Sequence, residues 1–264
     1  MIEAEPAALV TGASSGIGEV FARRLSLKGC RLILVARRME RLQKLAGELG
    51  GAEALKADLA VESDLRVVED RIAAEPALEF LVNNAGIGMP NGLFSSLDVE
   101  LHDRMHRLHV LAVERLTHAA LGGIVRRRSG SVINVSSVAG FLHTPYGVSY
   151  CATKAWINSF TEGLHLELRS ARSPVRVQAL CPGFTYSEFH DRIGMDRSLI
   201  PRSLWMSAEE VVDASLRGLE KNRLFVIPGW RYRLFLCLYR PLPRTVKYFL
   251  AMRYGNARAR AFPG

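Results

Sequence analysis

Cysteine is sparse and unpatterned: Cys30, Cys151, Cys181 and Cys237 are the only four in 264 residues, and no two form a Cys-x-x-Cys pair. A disulfide framework is therefore not expected. No signal-peptide pattern opens the chain, so the expectation is free thiols in a reducing cytoplasm. The seven histidines are scattered and include no His-Glu-x-x-His pair, so no metal site is expected. No linker or repeat interrupts the chain, and one α/β domain of this length is ordinary. Acid is missing from Lys221 to Gly264, where ten Lys and Arg residues stand; with a formal net charge of +9, everything before that tail is nearly neutral. From Gly229 onward the longest uncharged run, Leu234 to Tyr239, falls far short of the about 20 residues that span a bilayer.

What is present is a regular alternation. Apolar runs near residues 7–11, 31–36, 52–57, 79–83, 131–136, 175–180 and 224–227 alternate with helical stretches. Parallel strands joined by right-handed helical crossovers follow from that order. The first run leads into Thr11-Gly-Ala-Ser-Ser-Gly-Ile-Gly18 and then a helical pattern. Strand, glycine-rich turn and helix N-terminus in that order make a pyrophosphate site. Gly12 permits the turn, Gly16 lets backbone approach phosphate and Gly18 permits close helix packing, while Ser14, Ser15 and Ile17 complete the loop.

Tyr150 and Lys154 stand four residues apart, and Ser137 precedes the tyrosine by thirteen. On a helix, residues i and i+4 share a face, so the ammonium can favour an ionised phenol whose ordinary pKa is about 10. Cys151 is read as packing, because adjacent residues diverge by about 100° around a helix.

With these anchors the chain resembles the short-chain dehydrogenase/reductase family from about Ala7 to Phe189, with weaker likeness to about Pro228. Thr11 to Gly18 is similar to the family's cofactor turn, and Asn83-Asn84-Ala85-Gly86 to its sheet-stabilising motif. Ser137, Tyr150 and Lys154 resemble its catalytic group; Pro182-Gly183, with Thr185 beyond, resembles the loop beside the nicotinamide. The resemblance implies a Rossmann-type doubly wound parallel sheet of about seven strands with helices on both faces. It also implies roles. Tyr150 would exchange a proton with the substrate oxygen, Ser137 would hydrogen-bond that oxygen, and Lys154 would lower the tyrosine pKa and hold the nicotinamide ribose. His109 stands where the family has an asparagine that supports the proton relay; two readings stay open, a modified relay able to titrate near neutral pH and a structural histidine. The alternative is a non-catalytic NADP(H)-binding redox sensor or scaffold.

The second strand ends in Ala36-Arg37-Arg38 and not in an acid, which points to NADP(H): an arginine attracts the 2′-phosphate. Arg37 is the leading candidate, with Arg38 a second contact or the exposed start of the next helix. By resemblance Asp58 contacts the adenine amino group; otherwise it caps the following helix.

A catalytic domain over residues 1–228 with a substrate lid near 187–207 is expected to precede a basic amphipathic extension, 229–264. Phe184, Tyr186, Phe189, Met195, Leu199, Leu204, Trp205 and Met206 on one wall, and Phe141, Leu142, His143 and Tyr146 on the other, make an apolar pocket for a hydrophobic small molecule. By family likeness, the apolar face of the Tyr150 helix implies a homodimer or homotetramer. Nucleic acid is not an expected partner of the tail, which carries as many large aliphatics as cations. Two readings of it stay open: a cover over the fold, or helices broken near Pro241 and Pro243 that bind an anionic membrane surface and leave the protein cytoplasmic but peripheral.

Overall fold

Strand β1, Ala7–Thr11, is apolar nearly throughout and wholly buried, as befits a strand covered on both faces. Successive side chains point opposite ways: Ala8 and Val10 enter one core cluster, Leu9 the other. The computed structural model describes residues 5–90 and 92–261. Around β1 stand β2 (Arg31–Ala36), β3 (Glu53–Lys56), β4 (Leu78–Asn83), β5 (Ser131–Val135), β6 (Arg176–Leu180) and β7 (Phe225–Val226). They form one seven-stranded sheet in the order β3-β2-β1-β4-β5-β6-β7, and every pairing is parallel.

Helices cover both faces. On one lie α1 (Gly16–Leu27), α2 (Met39–Glu48) and α8 (Ala208–Glu220), whose Phe21, Leu42 and Val212 pack on Val10 and Leu34. The other carries α3 (Glu62–Ala73), α5 (Ala112–Arg127) and α6 (Val148–Ser170). Helix α4, Val99–His106, runs into α5 through a π turn at Arg107–Leu111. A buried polar chain ties the layers: the Asn83 amide donates to Asn134 Oδ1 (2.9 Å) and Thr117 Oγ1 (3.0 Å), and the Asn134 amide donates to Thr161 Oγ1 (3.0 Å).

Between β6 and α8 the chain forms α7, Glu188–Arg192, and two short 3-10 turns, held at the base where Tyr186 N donates to Met206 O (2.9 Å). Beyond β7, α9 (Trp230–Tyr239) and α10 (Arg244–Ala261) are separated at Pro241 and Pro243, where ring geometry stops a helix. Helix α9 belongs to the core: Tyr232 and Leu236 join the cluster of α1 and α8.

Candidate active site

The strand order reverses across β1, and there the C-terminal ends of β1 and β4 open into a cavity of about 950 Å³. Gly12 leaves β1 with φ 67°, and a Cβ on it would stand 2.8 Å from Asn84 Nδ2. Gly18 passes so near the Gly12 carbonyl that no side chain fits. Asn84 fastens this turn, its amide donating to the carbonyls of Thr11 (2.9 Å) and Gly12 (3.3 Å). Asn84 thus shapes the loop from the end of the adjoining strand.

Ser15 begins α1 without a capping bond from its side chain. The first-turn N–H groups of a helix lack intrahelical partners, and with the helix dipole they suit an anion. Arg38 lies over this end: Nη2 donates to Ser14 Oγ (3.0 Å) and Ser15 Oγ (2.9 Å). Arg37 instead points toward Asp58, 4.0 Å away, and its side chain is 49 % exposed against 31 % for Arg38. Arg38 thus lies nearer the helix end and Arg37 nearer Asp58. Asp58 Oδ1 accepts from Ala60 N (3.1 Å), capping its turn, and Oδ2 pairs with Arg104 of α4. This donor set of open helix end, two hydroxyls and guanidinium fits a nucleotide's phosphates.

Deeper in the cavity stand Ser137, Tyr150 and Lys154. Ser137 follows β5; its hydroxyl accepts from Ala139 N (3.1 Å) and donates to Pro182 O (3.4 Å). Burial pushes the Tyr150 phenol up to about 12, and the Ser137 hydroxyl pulls it the other way. Burial also brings Lys154 down to about 8. Its ammonium lies 5.8 Å from the centre of the Tyr150 ring and donates to Val135 O (2.9 Å). In this geometry burial, and not the neighbouring cation, sets the proton affinity of Tyr150, a correction to the expectation from spacing.

The π turn sets His109 wholly inside. Ile87 N donates to Nε2 (3.0 Å), so the network assigns the proton to Nδ1, which faces Thr153 Oγ1 (3.0 Å). Desolvation, with Lys154 nearby, holds its pKa well below 6.5. The expected titration near neutral pH is thus corrected: the ring is a neutral brace between the β4 loop and α6.

Segment 187–207 borders the cavity through Ser187, Glu188, Phe189, Met195 and Leu204. Glu188 accepts from Arg38 (2.8 Å), and a Cβ on Gly88 would meet Ile193 at 2.6 Å. Phe184, Phe189, Met195, Leu204, Leu142, His143 and Tyr146 line the cavity as expected. Trp205 and Met206 are buried, Met206 in the core cluster; Tyr186 stacks on Trp205, and Phe141 packs on Phe225. The Leu199 side chain lies outside what is described. Pro182, Gly183 and Thr185 line the cavity, as do Ser14, Ile17, Ala85 and Gly86. The sequence reading missed Glu188, Arg104 and Tyr232. The Tyr232 ring fills the space a Gly183 side chain would need, and its hydroxyl accepts from Phe184 N (2.9 Å) and donates to Leu204 O (2.6 Å).

The family model described as short chain dehydrogenase matches residues 6–198. The chain belongs to the short-chain dehydrogenase family. Its members are oxidoreductases acting on CH–OH and C=O groups with a nicotinamide cofactor. This short-chain dehydrogenase is 37 % identical over 188 residues to nodulation protein G of Rhizobium sp. (strain N33), covering 70 % of this chain and 76 % of that one. A short-chain dehydrogenase from Sphingobium yanoikuyae, solved in complex with NADPH, is 36 % identical with a TM-score of 0.80, over 90 % of this chain and 96 % of that one. The bulky-bulky ketone specific alcohol dehydrogenase from Comamonas testosteroni is 31 % identical with a TM-score of 0.76, over 96 % and 94 %.

Proposed function

We propose that this short-chain dehydrogenase interconverts a hydrophobic carbonyl compound and its alcohol with NADP(H). One observation carries the reading: Ser137, Tyr150 and Lys154 open on a cavity that Phe184, Phe189, Met195, Leu204, Phe235 and Leu250 also line, and Arg38, on the same cavity, bonds Ser14 and Ser15 at the start of α1. A large apolar lining rewards burial of a hydrophobic substrate and strands a small charged one without partners. The NADPH complex of the Sphingobium relative and the bulky ketones named for the Comamonas relative agree with both halves of the proposal.

A bound nicotinamide would supply the hydride. Tyr150, protonated at neutral pH, delivers the proton to the carbonyl oxygen, and Ser137 donates a hydrogen bond to the same atom. Lys154 offers positive charge as the phenolate forms and, by the family resemblance, would hold the nicotinamide ribose. Tyr232 holds the Pro182–Phe184 loop in place, and the lid excludes water.

The subunits are expected to pair through α5 and α6; on α6, Trp156 and Phe160 stack at 4.7 Å and Leu166 stands exposed. Light scattering that shows only monomer at micromolar concentration opposes that pairing. For the reaction, NADPH oxidation is followed by loss of the reduced nicotinamide absorbance with a panel of bulky apolar ketones and small charged keto acids. Turnover confined to apolar carbonyls and lost in Tyr150→Phe supports the proposal. A preference for keto acids, or equal kcat/KM with NADH, overturns the substrate or the cofactor reading respectively.

A further inference from the structure

Nine of the large apolar side chains that stand exposed lie between Trp230 and Met252, in α9 and α10. Leu238 (63 %), Phe249 (59 %), Trp230 (58 %) and Met252 (56 %) are the most open. An apolar surface of that density marks an interaction face. It is not waiting for the protein's own core. In α9, Tyr232, Leu236 and Tyr239 already face inward, and Trp230, Leu234 and Leu238 stand on the opposite side. From Arg244 to Arg253 no side chain of α10 is buried.

The same two helices and their link carry Arg231, Arg233, Arg240, Arg244, Lys247 and Arg253, and no acid follows Glu220 in the chain. Their bonds are to carbonyls and rings: Arg231 reaches Ser203 O (3.3 Å) and lies 4.7 Å from the Trp230 ring centre, and Lys247 donates to Arg240 O (2.8 Å). Charge therefore selects the occupant. Two copies of this face brought together would oppose like charges, whereas anionic headgroups neutralise the cations while acyl chains receive the apolar side chains.

We propose that α9 and α10 dock on an anionic lipid bilayer. The contact is interfacial, because cations recur along the whole of α10. Among the described residues one helix, Val99–Arg127, is long and apolar enough to span, but it places Leu108, Ala112, Leu116, Ala120 and Ile124 in the core beneath the sheet. Phe235 and Leu250 line the cavity and are also 43 % exposed, so its rim lies within the docking face. A substrate dissolved in the bilayer then enters without crossing water. That delivery step rests on the apolar-substrate reading above; the docking does not.

The test is co-sedimentation of the full chain with phosphatidylcholine vesicles, with and without phosphatidylglycerol, at low and high salt. Two variants accompany it: Arg233→Glu/Arg244→Glu/Arg253→Glu, and Leu238→Ser/Phe249→Ser/Met252→Ser. Circular dichroism and NADPH binding confirm that each is folded. Docking predicts binding to the phosphatidylglycerol vesicles, weakened by salt and by roughly tenfold or more in either variant. Absence of binding at low salt, or binding that neither variant weakens, overturns it. So does a fall in mass by light scattering in the serine variant when the wild type ignores vesicles, because the face then pairs two copies. Reduction of a soluble ketone without vesicles is measured in parallel: its loss with docking intact counts against the proposed reaction alone.

Discussion

Glu188 Oε2 stands 2.8 Å from Arg38 Nη1, joining α7 to the arginine that spans Ser14 and Ser15. Arg41 and Arg192 share the carboxylate, and the Arg41 hydrogen bond leads in holding it down to about 2, so it is an anion at any working pH. A 2′-phosphate on Arg38 meets that anion as a competitor.

Glu188→Gln is accordingly expected to lower KM for NADPH by about two- to fivefold, and Arg38→Leu to raise it by about tenfold or more, with little change for NADH. Steady-state kinetics with both cofactors decide. A raised NADPH KM in Glu188→Gln means that the carboxylate orients Arg38 and does not compete.

The rate of carbonyl reduction is expected to be level below about pH 8 and to fall above it, as Lys154 loses its proton at about 8 while Tyr150, at about 12, keeps its own. Tyr150→Phe should cost about 10²- to 10⁴-fold in kcat. A loss under tenfold places the proton donor elsewhere. For stability the lysine acts oppositely: its folded pKa lies below the ordinary 10.5, so the unfolded chain binds more protons between about 8 and 10.5, and the lysine's contribution rises with pH there.

His109 is neutral when folded and ionises below about pH 6.5 when unfolded, so its contribution is present above that pH and is lost as the pH falls. His109→Leu removes this dependence and leaves the Ile87 N–H unpaired, a cost of about 1–3 kcal/mol at pH 7. Urea midpoints at pH 7 and pH 5 measure both. A variant that keeps the wild-type pH slope shows that another group carries it.

Tyr232→Phe keeps the ring against Gly183 but deprives the Phe184 N–H of its acceptor. About 1–2 kcal/mol of stability should go, and KM for NADPH should rise, because the Pro182–Phe184 loop bordering the proposed cofactor site loosens. Calorimetry and kinetics together test it. A stability loss with unchanged kinetics makes Tyr232 a core residue only.

The seven strands and the glycine-rich turn were legible because their causes are local. Apolar runs bury both faces of central strands such as β1 and β5, and at Gly12 a φ of 67° with no room for a Cβ beside Asn84 calls for glycine. Ser137, Tyr150 and Lys154 were legible as candidates through resemblance and spacing, but their proton affinities were not. Those depend on the walls closing around them, and the spacing of Tyr150 and Lys154 says nothing of Val135, whose carbonyl takes the ammonium.

By itself the sequence determined the order of strands and helices, the sharp turn before α1, the break at Pro241 and Pro243, and the excess of positive charge in the tail. Each is written in contiguous residues and their stereochemistry. Tertiary structure alone decided that Arg38 and not Arg37 lies over the helix end, that Glu188, 150 residues away, meets it, and that His109 stays neutral. It also decided that Tyr232 buttresses Phe184 across 48 residues. Such pairings arise where the sheet brings loop ends together, and burial there, which no local pattern records, sets which charges persist.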